Sequence, residues 1–98
     1  MEAENKSEMA RLEVSVSGAV QGVGFRYFTL DAALELGLTG WVRNMYGGGV
    51  QVVAEGERVS LEQLLRNLRR GPHSARVDEV RFTWFPFQGE FDRFEVRF

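Results

Sequence analysis

The spacing of apolar residues changes several times along the chain, and each change marks a predicted element. Leu12, Val14 and Val16 alternate with polar residues, which is the period of a strand with one buried face. A glycine-bearing loop follows at residues 18–24, and apolar residues then recur at helical spacing over residues 25–36. The pattern therefore predicts a strand, a loop and a helix in this order. The predicted buried stripe of the helix consists of Phe25, Phe28, Ala32 and Leu36.

The middle of the chain predicts a hairpin and a second helix. Residues 39–44 indicate a short strand, and a turn with three glycines at residues 45–49 leads into a second alternating strand. In the second helix, Ser60 and Gln63 have the spacing of a capping box, and a Gly-Pro pair ends the helical pattern. The second strand alternates Val50, Val52 and Ala54 with Gln51, Val53 and Glu55, and the helical stripe consists of Leu61, Leu64, Leu65 and Leu68.

Two further alternating stretches, at residues 80–85 and 94–98, complete the pattern. Their aromatic residues alternate as a core face does, which argues against an aromatic ligand site. The order of elements is β-α-β-β-α-β with an extra short strand. Two helices on one face of an antiparallel sheet of four to five strands bury all these apolar faces, so we predict an α+β, ferredoxin-like fold. The aromatic residues concerned are Phe82, Trp84, Phe94 and Phe98.

Length and charge divide the chain into two parts. With 98 residues it is predicted to hold one domain, at residues 11–98, and a mobile acidic tail at residues 1–10. The tail carries three Glu and one Lys, whereas residues 11–98 carry 11 Arg and 11 acidic residues. A neutral domain is a poor candidate for non-specific nucleic-acid binding, which needs clustered basic charge. We therefore expect no nucleic-acid partner.

The scarcity of Cys and His excludes several kinds of site. The chain contains no Cys and one His, which rules out a disulfide framework, a thiolate zinc site, a cysteine nucleophile and a His-rich metal site. The one histidine, His73, falls in a predicted surface turn. No apolar run approaches the roughly 20 residues that span a bilayer, and the polar first residues do not resemble a secretory signal. We expect a cytoplasmic monomer that binds no membrane.

Residues 18–26, with the sequence G-A-V-Q-G-V-G-F-R, join the first strand to the first helix. Gly22 and Gly24 permit backbone conformations in which successive N–H groups converge, and a helix N-terminus adds unpaired donors. Arg26 lies in the first turn and offers a planar fork of donors that suits phosphate oxygens. The segment is neither a Walker A loop nor a dinucleotide-binding fingerprint. Its residues alone leave two interpretations open, an anion cradle or a glycine-rich turn with a solvated Arg.

Asn44 ends the segment G-W-V-R-N at residues 40–44, where a predicted strand gives way to a turn. Asn commonly bonds to its own backbone in such a turn, which would be a purely structural role. Alternatively, its amide is a donor and an acceptor that holds a water molecule. The residue alone does not decide between these two roles.

Together, the two segments resemble the motifs of the acylphosphatase family. The first motif corresponds to residues 18–26 and the second to residues 40–44 and three residues after them, and the resemblance covers residues 11–98. The three later residues are Gly48, Val50 and Gly56. The resemblance implies that Arg26 binds the substrate and that Asn44 positions a water molecule. It also implies that main-chain N–H groups of the loop cradle the phosphate, in the residues Gln21, Gly22, Val23, Gly24 and Phe25.

Members of this family hydrolyse acyl phosphates to a carboxylate and inorganic phosphate without a metal ion, so the resemblance implies this reaction with no metal and no cofactor. Acetyl, carbamoyl, benzoyl and bisphosphoglycerate-type acyl phosphates are the candidate substrates. Because the carboxylate leaving group is already a stable anion, the reaction needs no general acid. It needs the phosphoryl group held, its charge offset and a water placed in line. We expect the loop to bind phosphate or sulfate, and we hypothesise that a substrate phosphate oxygen accepts the water proton.

Three other functions fit parts of the pattern. One is an anion-binding module without activity, and another is a carbamoyl-phosphate-handling domain related to hydrogenase maturation proteins. The third is an RNA-binding ferredoxin-like domain, which the neutral charge and the position of the loop aromatics away from a central strand argue against. Arg26 and Asn44 favour an active enzyme. Because no linker or zinc-finger sequence follows Phe98, we expect a freestanding one.

Overall fold

The computed structural model describes residues 8–98, which form five strands and two helices. This order of elements confirms the predicted one. Residues 1–7 of the predicted tail lie outside the described residues, and the first strand begins at Met9. The elements are β1 (Met9–Ala19), α1 (Phe25–Glu35), β2 (Thr39–Asn44), β3 (Val50–Glu57), α2 (Arg58–Arg70), β4 (Arg76–Pro86) and β5 (Phe94–Arg97).

The strands of residues 8–98 form one sheet in the order β4-β1-β3-β2-β5. β1 pairs antiparallel with β3 and β4, β3 pairs antiparallel with β2, and β5 lies at the edge, parallel to β2. α1 packs against β2 and β5, whereas α2 packs against β1, β3 and β4. The predicted ferredoxin-like α+β fold is therefore confirmed, and the fifth strand makes the sheet mixed rather than wholly antiparallel.

The core lies between the helices and the inward-facing residues of the central strands. Leu12, Val14 and Val16 are each at most 2% exposed, as their period predicts. Val14 pairs in register with Val52, so apolar rows of β1 and β3 lie side by side beneath the helices. Full burial of such a side chain contributes about 1.5–3 kcal/mol relative to exposure. The two central strands are therefore a firm support for the loops at their ends.

The buried face of α1 differs in part from the predicted stripe. Phe25 and Ala32 are buried as predicted, but Phe28 and Leu36 are only half-buried. Thr29 lies on the buried face, because its hydroxyl donates to the Phe25 carbonyl oxygen at 2.9 Å and so needs no water. A pattern that counts threonine as polar does not reveal this position.

α2 begins at Arg58, so the capping box predicted for Ser60 and Gln63 is wrong. β3 passes directly into the helix, and Glu57 takes the N-cap position without a side-chain cap bond. The Arg58 N–H donates to the Glu8 carbonyl oxygen at 2.8 Å. This bond satisfies one of the N–H groups that have no acceptor within the helix. The four predicted leucines are buried, so the helical face was predicted correctly although the start was not.

β3 is buried on both faces, which its alternating pattern did not reveal. Val53 is 2% exposed and Glu55 is 1% exposed, although both point away from the helices. The segment between β4 and β5 covers Glu55, because the main-chain N–H groups of Gln88 and Glu90 donate to its carboxylate. A strand pattern predicts which residues share a face and not which distant loop covers that face.

The predicted aromatic core face is correct for Phe94 and wrong for Phe82 and Phe98. Phe94 is 5% exposed, whereas Phe82 is 41% exposed and Phe98 is 95% exposed. Trp84 is half-buried. β4 is an edge strand, so Phe82 lacks a neighbouring strand on one side, and Phe98 lies past the last residue of β5. Alternation alone does not distinguish central strands from edge strands.

Candidate active site

Three chain segments meet at one end of the sheet because of the strand directions. β1 and β2 are both antiparallel to β3, and β5 is parallel to β2, so these three strands end at the same edge. This brings together the loop at residues 20–24, Asn44 at the end of β2, and the residues at the end of β5. The topology therefore assembles one site from segments that are far apart in the sequence.

The loop at residues 20–24 leads into α1 with its main-chain donors open. Gly22 and Gly24 have φ angles of 75° and 80°, and Gly24 is the left-handed N-cap residue of α1. No side chain caps this helix end, and its first turn contains no acidic residue. Within residues 8–98, the N–H groups of Phe25, Arg26 and Tyr27 have no hydrogen-bond acceptor. Such a helix end is able to bind an anion.

Arg26 is oriented in the first turn of α1 by residues at the end of β5. Its Nη1 donates to the Arg97 carbonyl oxygen at 3.1 Å, and its guanidinium carbon lies 4.7 Å from the centroid of the Phe98 ring. No carboxylate of residues 8–98 forms an ion pair with it. The Arg97 guanidinium instead donates to Glu95 at 3.0 Å, and this hydrogen bond lowers the pKa of the Glu95 carboxyl group. No described carboxylate therefore occupies the place beside Arg26 that an anion could take.

The Asn44 side chain does not form the hydrogen bond to the turn backbone that a purely structural role would require. The turn after β2 is closed by the main chain, with the Met45 N–H 2.9 Å from the Gly49 carbonyl oxygen and the Gly48 N–H 3.1 Å from that of Met45. In the described part of the chain, the Asn44 amide has no hydrogen-bond partner. The amide is half-buried and free to hold a water molecule.

A cavity of about 180 Å³ lies between the loop, the start of α1 and the end of β2. Its lining residues are Val20, Gly22, Gly24, Phe25, Arg26, Tyr27 and Asn44. Five of these seven were predicted from the sequence as site residues, and Val20 and Tyr27 were not. Their signal was their position, since Val20 lies within the first motif and Tyr27 directly follows it. Val23 does not line the cavity, and the Gln21 side chain reaches the turn after β2 instead.

The cavity offers few groups for chemistry other than anion binding. Neither a carboxylate nor a His side chain lines it. Across residues 8–98, no group of three or more His, Asp or Glu residues is close enough to hold a metal ion. His73 is exposed in the turn after α2. The remaining groups are a main-chain cradle, one guanidinium and one amide, which suit an anion with a water molecule beside it.

The helices of residues 8–98 are too short and too polar to cross a membrane.

The fold and the cavity define a small α+β protein with an anion-sized site between a glycine loop and a strand end. A family model described as Acylphosphatase matches residues 12–96. The chain therefore belongs to the acylphosphatase family, as its two motifs indicated.

Relatives of nearly the same length support the assignment. An acylphosphatase of Syntrophotalea carbinolica is 49% identical over 88 residues, which cover 90% of this chain and 96% of that protein. The structure of an acylphosphatase from Coxiella burnetii matches with a TM-score of 0.87 and 38% identity, over 98% of this chain and 100% of that chain. The protein is thus an enzyme with acylphosphatase activity.

A more distant match is to part of a much larger protein. The crystal structure of full-length HypF in the phosphate- and nucleotide-bound form matches with a TM-score of 0.80 and 26% identity. The match covers 92% of this chain and 12% of the HypF chain. Because the acylphosphatases match at higher identity and along almost their whole length, the comparisons favour acylphosphatase activity over the alternative functions considered above.

Proposed function

We propose that this protein hydrolyses small acyl phosphates in the cavity at the start of α1, without a metal ion, and that Arg26 and Asn44 are its catalytic residues. The observation that supports the proposal is the combination of groups in this cavity. An arginine without a carboxylate partner, an asparagine amide without a described hydrogen bond and an open helix N-terminus line one space of about 180 Å³.

Arg26 and the main-chain N–H groups of residues 21–25 bind the phosphoryl group in this proposal. The left-handed Gly24 sets the direction of the donors, and the contacts with Arg97 and Phe98 hold the guanidinium. Donors that are already oriented need little rearrangement when negative charge develops, which is the main way in which enzymes stabilise such transition states. We expect inorganic phosphate and sulfate to occupy the same place.

Asn44 holds the attacking water in line with the bond that breaks. The water oxygen forms a bond to phosphorus, and the bond between phosphorus and the acyl oxygen breaks. The acyl group leaves as a carboxylate with the electron pair of that bond. Asn is neutral and a poor base, so the water proton passes to a phosphate oxygen of the substrate. No general acid is needed, because the leaving carboxylate is a stable anion.

The lining residues bind the phosphate and provide few groups that would select one acyl group over another. We therefore propose that acetyl, carbamoyl, benzoyl and bisphosphoglycerate-type acyl phosphates are accepted. We also propose that the protein is a monomer, as its small size favours, with residues 11–98 as the catalytic domain. Light scattering of the purified protein tests this state. A cytoplasmic location stays a prediction from composition, as does the acidic tail predicted at residues 1–10, of which residues 9 and 10 belong to β1.

The test is hydrolysis of benzoyl phosphate with EDTA present, by the wild type and by the Arg26→Ala and Asn44→Ala variants. We expect the wild type to turn over and both variants to lose most of kcat. His73→Ala is the matched control and keeps the wild-type rate, because His73 is exposed and outside the cavity. Loss of wild-type activity in EDTA would contradict the metal-free reaction. An active Arg26→Ala variant would contradict the role of the guanidinium.

A further inference from the structure

We infer that the side chain of Gln21 is a positioning residue that holds the turn after β2, and with it Asn44, against the phosphate loop. The inference rests on the proposed roles of Arg26 and Asn44. Gln21 Nε2 donates to the Met45 carbonyl oxygen at 2.9 Å and to the Gly49 carbonyl oxygen at 2.7 Å. Both amide hydrogens are therefore used on the turn that begins next to Asn44.

The turn needs support from outside because its own sequence provides little rigidity. Gly47, Gly48 and Gly49 have φ angles of 88°, 112° and 87°, and glycine loses more conformational freedom on folding than any other residue. A Cβ atom built at Gly47 or Gly48 would meet no atom within 4 Å, so tertiary packing does not hold the tip of the turn. Tyr46 at the same tip is fully exposed. The two bonds from Gln21 hold both ends of the turn.

The position of Gln21 couples the two halves of the site. Gln21 directly precedes the glycines that shape the phosphate loop, and Met45 directly follows Asn44. The brace from Gln21 to the turn therefore sets how far the bound phosphoryl group lies from the water on Asn44. The Gln21 side chain does not line the cavity, so it acts through the turn and not by contact with the substrate.

Glutamine suits this position because its amide nitrogen offers two donors, which match two carbonyl acceptors. Methionine has similar length and no donor, so Gln21→Met removes the brace with little change in volume. Gln21→Glu retains the shape but directs acceptor oxygens at two carbonyl oxygens. Gln63 is a matched control, since its amide also donates, to Asn67 at 3.0 Å, but on α2 and outside the cavity.

The experiment compares the wild type, Gln21→Met and Gln63→Met by kcat and KM for benzoyl phosphate and by the inhibition constant of inorganic phosphate. We expect Gln21→Met to lower kcat by about 10- to 100-fold, because a displacement near 1 Å has effects of this size. KM and the phosphate inhibition constant stay within about threefold, since Arg26 and the N–H cradle are retained. Gln63→Met behaves as the wild type.

Two results would overturn the inference. One is a kcat of Gln21→Met within about twofold of the wild type, and the other is a phosphate inhibition constant that rises as much as kcat falls. The latter would make Gln21 part of the anion site itself. Circular dichroism and thermal unfolding establish that the variant is folded. If Gln21→Met does not fold, Gln21→Glu is subjected to the same measurements.

A double-mutant cycle separates this inference from the proposed function. If Gln21 acts through Asn44, adding Gln21→Met to Asn44→Ala lowers kcat by less than about twofold further, and an undiminished loss contradicts the inference. Asn44→Ala alone with a wild-type kcat would overturn the proposed function and this inference together. A damaging Asn44→Ala beside a harmless Gln21→Met would overturn the inference alone.

Discussion

Two arginines of this protein lie beside main-chain N–H donors, and the protein neutralises one of them by itself. Arg11 in β1 forms ion pairs with Glu90 at 2.7 Å, with Glu13 at 3.1 Å and with Glu55 at 3.5 Å. The Glu55 carboxylate also accepts the N–H groups of Gln88 at 2.7 Å and Glu90 at 2.9 Å. An arginine, a carboxylate and two main-chain donors thus complete an internal anion site.

Arg26 has the same kinds of neighbours without the carboxylate. The open N–H groups at the start of α1 lie beside it, and its described contacts are a carbonyl oxygen and the ring of Phe98. The protein leaves this second anion site incomplete, and the phosphate of the substrate completes it in the proposed reaction.

The difference lies in which molecule supplies the negative charge. Around Arg11 the protein supplies it, and the burial of Glu55 ties the segment after β4 to the sheet. Burial by itself lowers the pKa of Arg11, but the hydrogen bonds to Glu90 and Glu13 outweigh it and raise that pKa above its ordinary value. We expect this site to serve stability, whereas the site at Arg26 serves catalysis in the proposed function.

The largest expected effect concerns Arg26. We expect Arg26→Ala to lower kcat/KM by about 10³-fold, because one guanidinium offsets much of the charge on the transferred phosphoryl group. The free energy of unfolding changes by less than about 1 kcal/mol, since the side chain is half-buried and has neutral partners. Benzoyl phosphate hydrolysis and urea unfolding measure the two quantities. A fall in the free energy of unfolding as large as the loss of transition-state stabilisation would make Arg26 a structural residue like Arg11.

The next largest effect concerns Arg11, where we expect a loss of stability and no loss of activity. Arg11→Met leaves the buried Glu55 carboxylate without its nearby cation, so we expect the free energy of unfolding to fall by about 3–5 kcal/mol. At a temperature where the variant is folded, kcat stays at the wild-type value. Arg66→Met on the exposed side of α2 is the control and changes neither quantity. A selective loss of kcat in Arg11→Met would contradict the assignment of Arg11 to stability and of Arg26 to catalysis.

A smaller effect tests the open site directly with inorganic phosphate. At a concentration of about 100 times its Kd, phosphate should raise the free energy of unfolding by about 2.7 kcal/mol, since it binds the folded state alone. We expect this gain in the wild type and in Arg11→Met, and its loss in Arg26→Ala. Chemical unfolding with and without phosphate, at constant ionic strength, measures the gain. A gain that survives in Arg26→Ala would point to another phosphate site.

The smallest effect concerns the ring that orients Arg26. Phe98→Leu removes an aromatic face 4.7 Å from the guanidinium, and such an exposed cation–π contact contributes about 0.5–1 kcal/mol. We therefore expect KM for benzoyl phosphate to rise about two- to fivefold. Phe87→Leu, at another exposed ring outside the cavity, should leave KM unchanged. The same shift in both variants would indicate a general surface effect.

Much of the fold could be predicted because periodicity is a local property. The alternation at Leu12, Val14 and Val16 and the leucine stripe of α2 predicted the faces that the structure buries. The site residues came from two short motifs, although the loop residues alone left open an anion cradle or a simple turn. Strand direction then brings Arg26 and Asn44 to one cavity, as the motif resemblance implied.

What the sequence by itself determined was therefore the order of the elements, their apolar faces and the identity of the residues in the motifs. The tertiary structure alone decided three contacts. The Gln21 side chain reaches Met45 and Gly49, and the Glu55 carboxylate is buried beneath the segment after β4. The exposed ring of Phe98 lies against the Arg26 guanidinium. The physical reason is the distance along the chain. Periodicity and capping patterns report interactions within a turn or two of the backbone, whereas these contacts join residues that meet only after the sheet has formed.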